Sequence, residues 1–280
     1  MIRRPPRSTQ GVSSAASDVY KRQLQAILDG LVQRSDEIAT TITEEMGAPL
    51  GLAQAAQVPS GIQHFRTILK ALANYEFETH QGTTRIIREA IGPCALITPW
   101  NWPLNQVAAK VAPALAAGCT MILKPSEIAP FNSAILAEII HDANVPAGVF
   151  NLVNGDGITV GSTLTAHSDI AMVSFTGSTR AGIDVAKKAA HGVKRLNQEL
   201  GGKSANLILD DADFKKAVVR GVSSCFSNSG QSCIAPTRML VPKKFLKDAT
   251  KFAIEKAKLT VVGDPENETS GIGPVASDVQ

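Results

Sequence analysis

The stretch PCALITPWNWPLNQVAAKVAPALAAGCTMILKPSE, residues 93–127, decides the fold. PCALITP is a short apolar run bounded by prolines and reads as a buried strand. NQVAAKVAPALAAG has helical spacing, and TMILK is again short, apolar and strand-like. A strand, a helix of ten residues or more and a second apolar strand form one βαβ unit, and apolar strands of this kind lie in parallel sheets covered on both faces. The alternation continues through helix NSAILAEIIHDA, strand VFNLV, a short helix in TVGSTLTAH, strand AMVSF, helix STRAGIDVAKKAAHG and strands VKRLNQE and ANLIL. Residues 92–210 are therefore expected to form a doubly wound α/β domain of the nucleotide-binding type.

Outward from this unit the pattern changes. From 24 to 46 the apolar residues Leu24, Ile27, Leu28, Leu31, Ile38 and Ile42 predict one helix ended by Gly47, and a second is expected over 54–75. TTRIIREAI alternates as a strand or hairpin, so 24–91 is read as N-terminal helices with a hairpin. Residues 211–280 predict a helix over 213–226, a strand in TRMLVP and an amphipathic helix in KKFLKDATKFAIEKAKL, after which the chain stops with no closing element. Residues 1–23 are rich in Arg and Ser and carry Pro5 and Pro6. They read as an atypical leader, disordered or non-native, such as translated vector or adapter sequence.

Composition excludes several classes of function. The chain has 280 residues, 44% of them hydrophobic, and a formal charge of +3 from nearly balanced acids and bases. No basic run with interleaved aromatics is present, so nucleic acid is not an expected partner. The most apolar segment, VAPALAAGCTMIL, is interrupted by Pro113 and Gly118 and falls short of the roughly 20 residues of a membrane span. Cys94, Cys119, Cys225 and Cys233 form no CxxC pair, and the five histidines are dispersed. Reduced thiols, a cytoplasmic location and no metal are expected.

Ligands of doubly wound sheets bind at the carboxyl ends of the strands, which here are TPWN, KPSE, NGDG, FTGST and ELGG. Gly157 in NGDG and Gly177 with Ser178 in FTGST could let a pyrophosphate approach a helix start, although each is equally an ordinary βα turn with Ser178 as an N-cap. Lys124 and Glu127 in KPSE leave a strand end where a ribose could lie; a carboxylate there accepts from ribose hydroxyls and repels a 2′-phosphate, favouring NAD over NADP. A solvated lysine and a capping glutamate are the plain alternative. Glu199 in QELGG stands where a general base would be drawn partly out of water, but surface glutamates are commoner. Asn101 could stabilise an oxyanion or simply cap a helix. Cys233, in GQSCIAPTR, has small polar neighbours where the other three cysteines have apolar ones, which suits an accessible nucleophile.

ITPWNWP, LKPSE, SFTGST, QELGGKSAN and GQSCIAPTR, in this order and with 34 residues between Glu199 and Cys233 (233 − 199), resemble the NAD(P)-dependent aldehyde dehydrogenase superfamily from about Leu24 to the end. The resemblance implies a Rossmann-like cofactor domain followed by the start of an α/β catalytic domain carrying the nucleophile. It implies Cys233 as nucleophile, Glu199 as general base, and Asn101 with the Cys233 N–H as oxyanion hole. Lys124 and Glu127 match the adenosine-ribose contacts, Gly177 and Ser178 the pyrophosphate turn, Trp100 and Pro125 the cofactor cleft, and Lys110 a lysine sometimes assigned to proton relay. Trp102, Gln106 and Ile234 are expected to face the aldehyde. The implied reaction oxidises a small aldehyde with NAD through a cysteine thiohemiacetal and thioester, and Glu199 favours hydrolysis over transfer to CoA.

Family chains are longer. After the cysteine they complete the catalytic domain, add a glutamate for the nicotinamide ribose, and end in a strand through which they homo-oligomerise as dimers or tetramers. None of this follows Gln280, so a non-catalytic remnant that at most binds NAD is the competing expectation.

Overall fold

The computed structural model describes residues 14–280. Helices α1 (Ser14–Gln33) and α2 (Ser35–Met46) replace the single helix expected over 24–46. The bend at Arg34 is held by its guanidinium, which pairs with Glu37 at 2.7 Å and with Glu138 at 2.8 Å. Because α1 begins at Ser14, the leader boundary drawn at residue 23 falls inside a helix; residues 1–13 lie outside the described residues.

A short α3 (Leu50–Leu52) runs into a wide turn, Ala53–Gln57, and then α4 (Val58–Ala73). Pro59 has no N–H to give the carbonyl four residues earlier. The chain widens just before it, and the Val58 N–H reaches back to the Ala53 carbonyl instead. The expected hairpin is β1 (Glu78–Gln81) with β2 (Thr84–Ile87), antiparallel.

The central sheet has five parallel strands: β3 (Cys94–Ile97), β4 (Met121–Lys124), β5 (Phe150–Leu152), β6 (Met172–Gly177) and β7 (Arg195–Leu200), in the order β5-β4-β3-β6-β7. α5 (Pro103–Ala116), α6 (Phe131–Asp142), α7 (Ser162–Ala166) and α8 (Thr179–Ala190) connect them. Strand alternation divides the core into two layers. Cys94, Leu96, Met121 and Leu123 pack with Leu104, Val107, Leu136 and Phe65 on one face, while Ala95, Ile97, Val173 and Phe175 pack with Val185 and Ala189 on the other. The doubly wound α/β architecture read from the sequence is therefore present.

One boundary moves. β8 (Ala205–Leu207), expected within the 92–210 domain, does not join the five-stranded sheet and pairs in parallel with β9 (Arg238–Leu240). The chain leaves the sheet after β7 through residues 201–204, which form no regular element. With α9 (Phe214–Phe226) and α10 (Leu246–Lys258), these strands enclose a small core of Ile208, Val218 and Ala249. After α10 the chain forms no further helix, but it is not loose: the Leu50 N–H donates to the Pro265 carbonyl at 2.9 Å, and a single bridge joins Val262 to Ile272.

Close approach of α4 to α5 depends on Gly61, where an added Cβ would stand 2.5 Å from Leu104 Cγ and 3.2 Å from the Leu104 backbone carbon. Leu104 is fully buried and has no free direction in which to give way. Gly61→Ala gains helix propensity of about 1 kcal/mol but overpacks this contact by more, so a net loss of about 1–2 kcal/mol is expected. Urea denaturation measures it; unchanged or higher stability would mean that α4 and α5 separate at no cost.

Candidate active site

The strand order reverses between β3 and β6: from β3 the chain winds out to β4 and β5, then returns to place β6 and β7 on the other side. A crevice opens at such a reversal, beyond the carboxyl ends of the two strands. Three buried side-chain atoms gather there without a hydrogen-bond partner: Thr98 Oγ1 just after β3, Asn101 Oδ1 in the loop it enters, and Thr176 Oγ1 near the end of β6. Buried polar atoms are seldom left unpaired, so these fit a place where a polar ligand completes the bonding.

The residues expected to hold a dinucleotide lie around this crevice. Trp100 is half-buried against the helical layer. Lys124, at the end of β4, is 3% exposed, and its Nζ sits 3.1 Å from the half-exposed Glu127 carboxylate; Pro125 between them is buried. Gly177 ends β6, where a Cβ would meet the Phe175 ring at 2.6 Å. Ser178 caps α8, its Oγ accepting from the Ala181 N–H at 3.2 Å, so the start of this helix faces the crevice side of β6. Gly157 stands apart. It opens the exposed turn after β5, the edge strand two places from β3.

Cys233 is the exposed one of four free thiols; Cys94 and Cys119 are buried and Cys225 is half-buried. Its loop is fastened to the segment after β3. Asn101 Nδ2 donates to the Gln231 carbonyl at 2.8 Å, and Trp102 Nε1 donates to Ser232 Oγ at 2.8 Å. Asn101 and Cys233 are thereby brought together, with one of the two Asn101 N–H groups left uncommitted. Trp102 spends its polar edge on the loop, Gln106 is half-buried, and Ile234 is 79% exposed beside the thiol.

Glu199 pairs across the sheet with Thr176, and three residues later the chain passes the cysteine: a Cβ on Gly202 would lie 3.8 Å from the Cys233 carbonyl oxygen. Glu199 is exposed, because it lies on β7, an outer strand of the sheet whose residues alternate between exposed and half-buried. The buried charge beneath it is Lys110, 8% exposed on α5, whose Nζ donates to Ser174 Oγ at 2.9 Å. Burial pulls the Lys110 ammonium down to about 8, against the opposing pull of the Glu199 carboxylate.

Several site residues carried no recognisable signal. Ser174 looks like any strand serine. Gln57 lies far away in sequence, and only the run Asn228-Ser229-Gly230, rich in turn formers, hinted at unusual backbone before the cysteine. Among the described residues no cluster of His, Cys, Asp or Glu is arranged to hold a metal ion, and no helix is long and apolar enough to cross a membrane.

A doubly wound sheet with a thiol-bearing loop tied to its switch point defines the class, and comparison with known proteins narrows it. The aldehyde dehydrogenase family model matches residues 10–280. The chain is 55% identical over 280 residues to a 3-succinoylsemialdehyde-pyridine dehydrogenase from a Pseudomonas species, covering all of this chain and 59% of that protein. Its structure is similar to a cysteine-to-alanine mutant of aldehyde dehydrogenase C from Pseudomonas syringae, solved with NAD+ and octanal. That match has a TM-score of 0.93 and 51% identity, over 94% of this chain and 54% of the other. An aldehyde dehydrogenase from Bartonella henselae matches with a TM-score of 0.92 and 49% identity, over 95% and 56% of the two chains. The chain belongs to the aldehyde dehydrogenase family and spans less than three fifths of the length of these relatives.

The buried Lys110 has a measurable consequence. Its folded value of about 8 lies below the ordinary 10.5, so between the two the unfolded chain binds the extra proton and stability rises with pH. In Lys110→Met this part of the rise, about 3 kcal/mol, is expected to vanish. Urea denaturation of both chains across that window measures it; parallel curves would show that Lys110 is not held below its ordinary value.

Proposed function

We propose that the protein of which this chain is a part oxidises a small aldehyde to a carboxylic acid with NAD, in a cytoplasmic setting and without a nucleic-acid or membrane partner. The observation that carries the reading is the joining of Asn101 to the Cys233 loop at the switch point, through the 2.8 Å bond from Asn101 Nδ2 to the Gln231 carbonyl. Family membership supports it, as does the aldehyde- and NAD-bound state of one relative.

The chemistry follows from the residues. The Cys233 thiolate attacks the aldehyde carbon, forming a C–S bond and placing negative charge on the carbonyl oxygen. The free Asn101 N–H and the Cys233 backbone N–H stabilise that oxyanion. NAD, when bound, supplies the acceptor for the hydride that leaves this carbon. Cys233 then holds the acyl group as a thioester. Glu199 takes a proton from water, whose oxygen attacks the thioester carbon; the C–S bond breaks, and acid and thiol are released. For the cofactor, Lys124 and Glu127 would hold the adenosine ribose, with Glu127 favouring NAD over NADP. Gly177, Ser178 and the start of α8 would take the pyrophosphate, Trp100 and Pro125 would wall the cleft, and Gly157 would close its outer side. The orphaned Thr98 and Thr176 hydroxyls support a polar ligand there. The proposed domain plan is N-terminal helices and hairpin to 91, a cofactor domain from 92, and a catalytic unit carrying Cys233.

The exposure of Glu199 favours a second reading, a chain that binds NAD without turnover. Single-turnover mixing with NAD and a reactive aldehyde separates the two. An NADH burst, abolished in Cys233→Ala, is expected from the first reading. In Glu199→Gln the burst should persist while deacylation slows by about 10²- to 10⁴-fold. Folded protein that binds NAD and gives no burst would establish the second.

A further inference from the structure

The loop that carries Cys233 is held from a distant part of the chain. Gln57 is 1% exposed and points inward from the wide turn that Pro59 imposes before α4. Its Nε2 donates to Asn228 Oδ1 at 2.8 Å, which fixes the way the Asn228 amide faces. With Oδ1 engaged, Nδ2 is turned to the Asn101 carbonyl at 2.8 Å and the Gln231 carbonyl at 3.3 Å. The same Gln231 carbonyl accepts from Asn101 Nδ2. Gln231 is buried as well, its Nε2 donating to the Asn228 carbonyl at 3.2 Å and its Oε1 accepting from the Ala276 N–H at 2.9 Å.

This network holds an unusual backbone. Asn228, Ser229 and Gly230 have φ of 57°, 56° and 75°, three consecutive left-handed residues just before the cysteine. Non-glycine residues seldom adopt that conformation, and such a run persists only where its surroundings over-determine it. Ser229 Oγ donates to the Gly273 carbonyl at 2.9 Å, which adds a further tie.

We propose that Gln57 and Asn228 are positioning residues of the active site. Neither touches a reacting atom. Gln57 orients the Asn228 amide, Asn228 clamps the carbonyls of Asn101 and Gln231, and the clamp sets the Asn101 amide and the Cys233 backbone N–H in one frame. The catalytic consequence rests on the proposed aldehyde oxidation; the rigidity of the loop does not.

Hydrogen exchange read by mass spectrometry tests the relay in the full chain. Asn228→Gly suits the left-handed backbone better than asparagine and removes only the amide, whereas Asn228→Asp keeps shape and loses the donors. Gln57→Leu removes the orienting bond. Each single change is expected to speed exchange over residues 228–235 by about tenfold, with β3 and β4 exchanging as in the parent. The double variant Gln57→Leu/Asn228→Asp should match Asn228→Asp alone, because both act through one chain of bonds. Parent-like exchange in Asn228→Gly would reduce Asn228 to a backbone role and overturn the proposal. So would additive effects in the double variant, or equal acceleration in β3 and β4. If the parent gives an NADH burst, the same variants should slow it without changing the apparent affinity for NAD, and an unchanged burst rate would also overturn it. A parent with no burst counts against aldehyde oxidation, and exchange alone then decides the relay.

Discussion

The rest of the structure depends on the burial of β3 on both faces. Every residue from Cys94 to Ile97 is buried, with neighbours in parallel on either side. A strand so enclosed cannot slip by one residue without exchanging the side chains of its two layers, so its register is strongly specified. That register aligns Ile97 with Lys124 on one neighbour and with Phe175 on the other. Thr98, Asn101, Lys124 and Ser178 therefore start from fixed heights on three adjacent strands. The apolar core positions the polar crevice.

The thiol reaches that crevice by a different principle. Cys233 belongs to the part of the chain that has left the five-stranded sheet, and 130 residues separate Asn101 from Gln231. Chain continuity therefore cannot set the distance between Asn101 and the Cys233 loop; side-chain hydrogen bonds do. Buried amides are costly when unpaired, and here each of Gln57, Asn101, Asn228 and Gln231 donates at least one N–H, while Gln57 Oε1 and Asn101 Oδ1 remain without partners.

Much of this was legible in the sequence. Short apolar runs such as ALI and MIL between helices read as buried parallel strands, and the cysteine of GQSC stood apart from the one in PCALI. Local signals failed where tertiary contacts decide. ANLIL reads as one more strand of the five-stranded sheet, yet it pairs with Arg238–Leu240, a partner more than 30 residues later. The bend at Arg34 is held by Glu138 on another helix, which no window of periodicity includes. Gln57 has no local mark at all, since its importance lies wholly in what it meets.

The contrast between Glu199 and Lys110 carries the electrostatic logic one step further. Both approach the crevice from the β6–β7 side, but the carboxylate is exposed and the ammonium is buried against Ser174. An exposed carboxylate is well hydrated, and the surrounding water screens its attraction to the lysine. Covering β7 would withdraw it from solvent and strengthen its attraction to the lysine at the same time, since both effects grow as the local dielectric falls. The glutamate would then restore more of the proton affinity that burial takes from the lysine. The exposure of β7 therefore sets how strongly Glu199 and the buried cation are coupled.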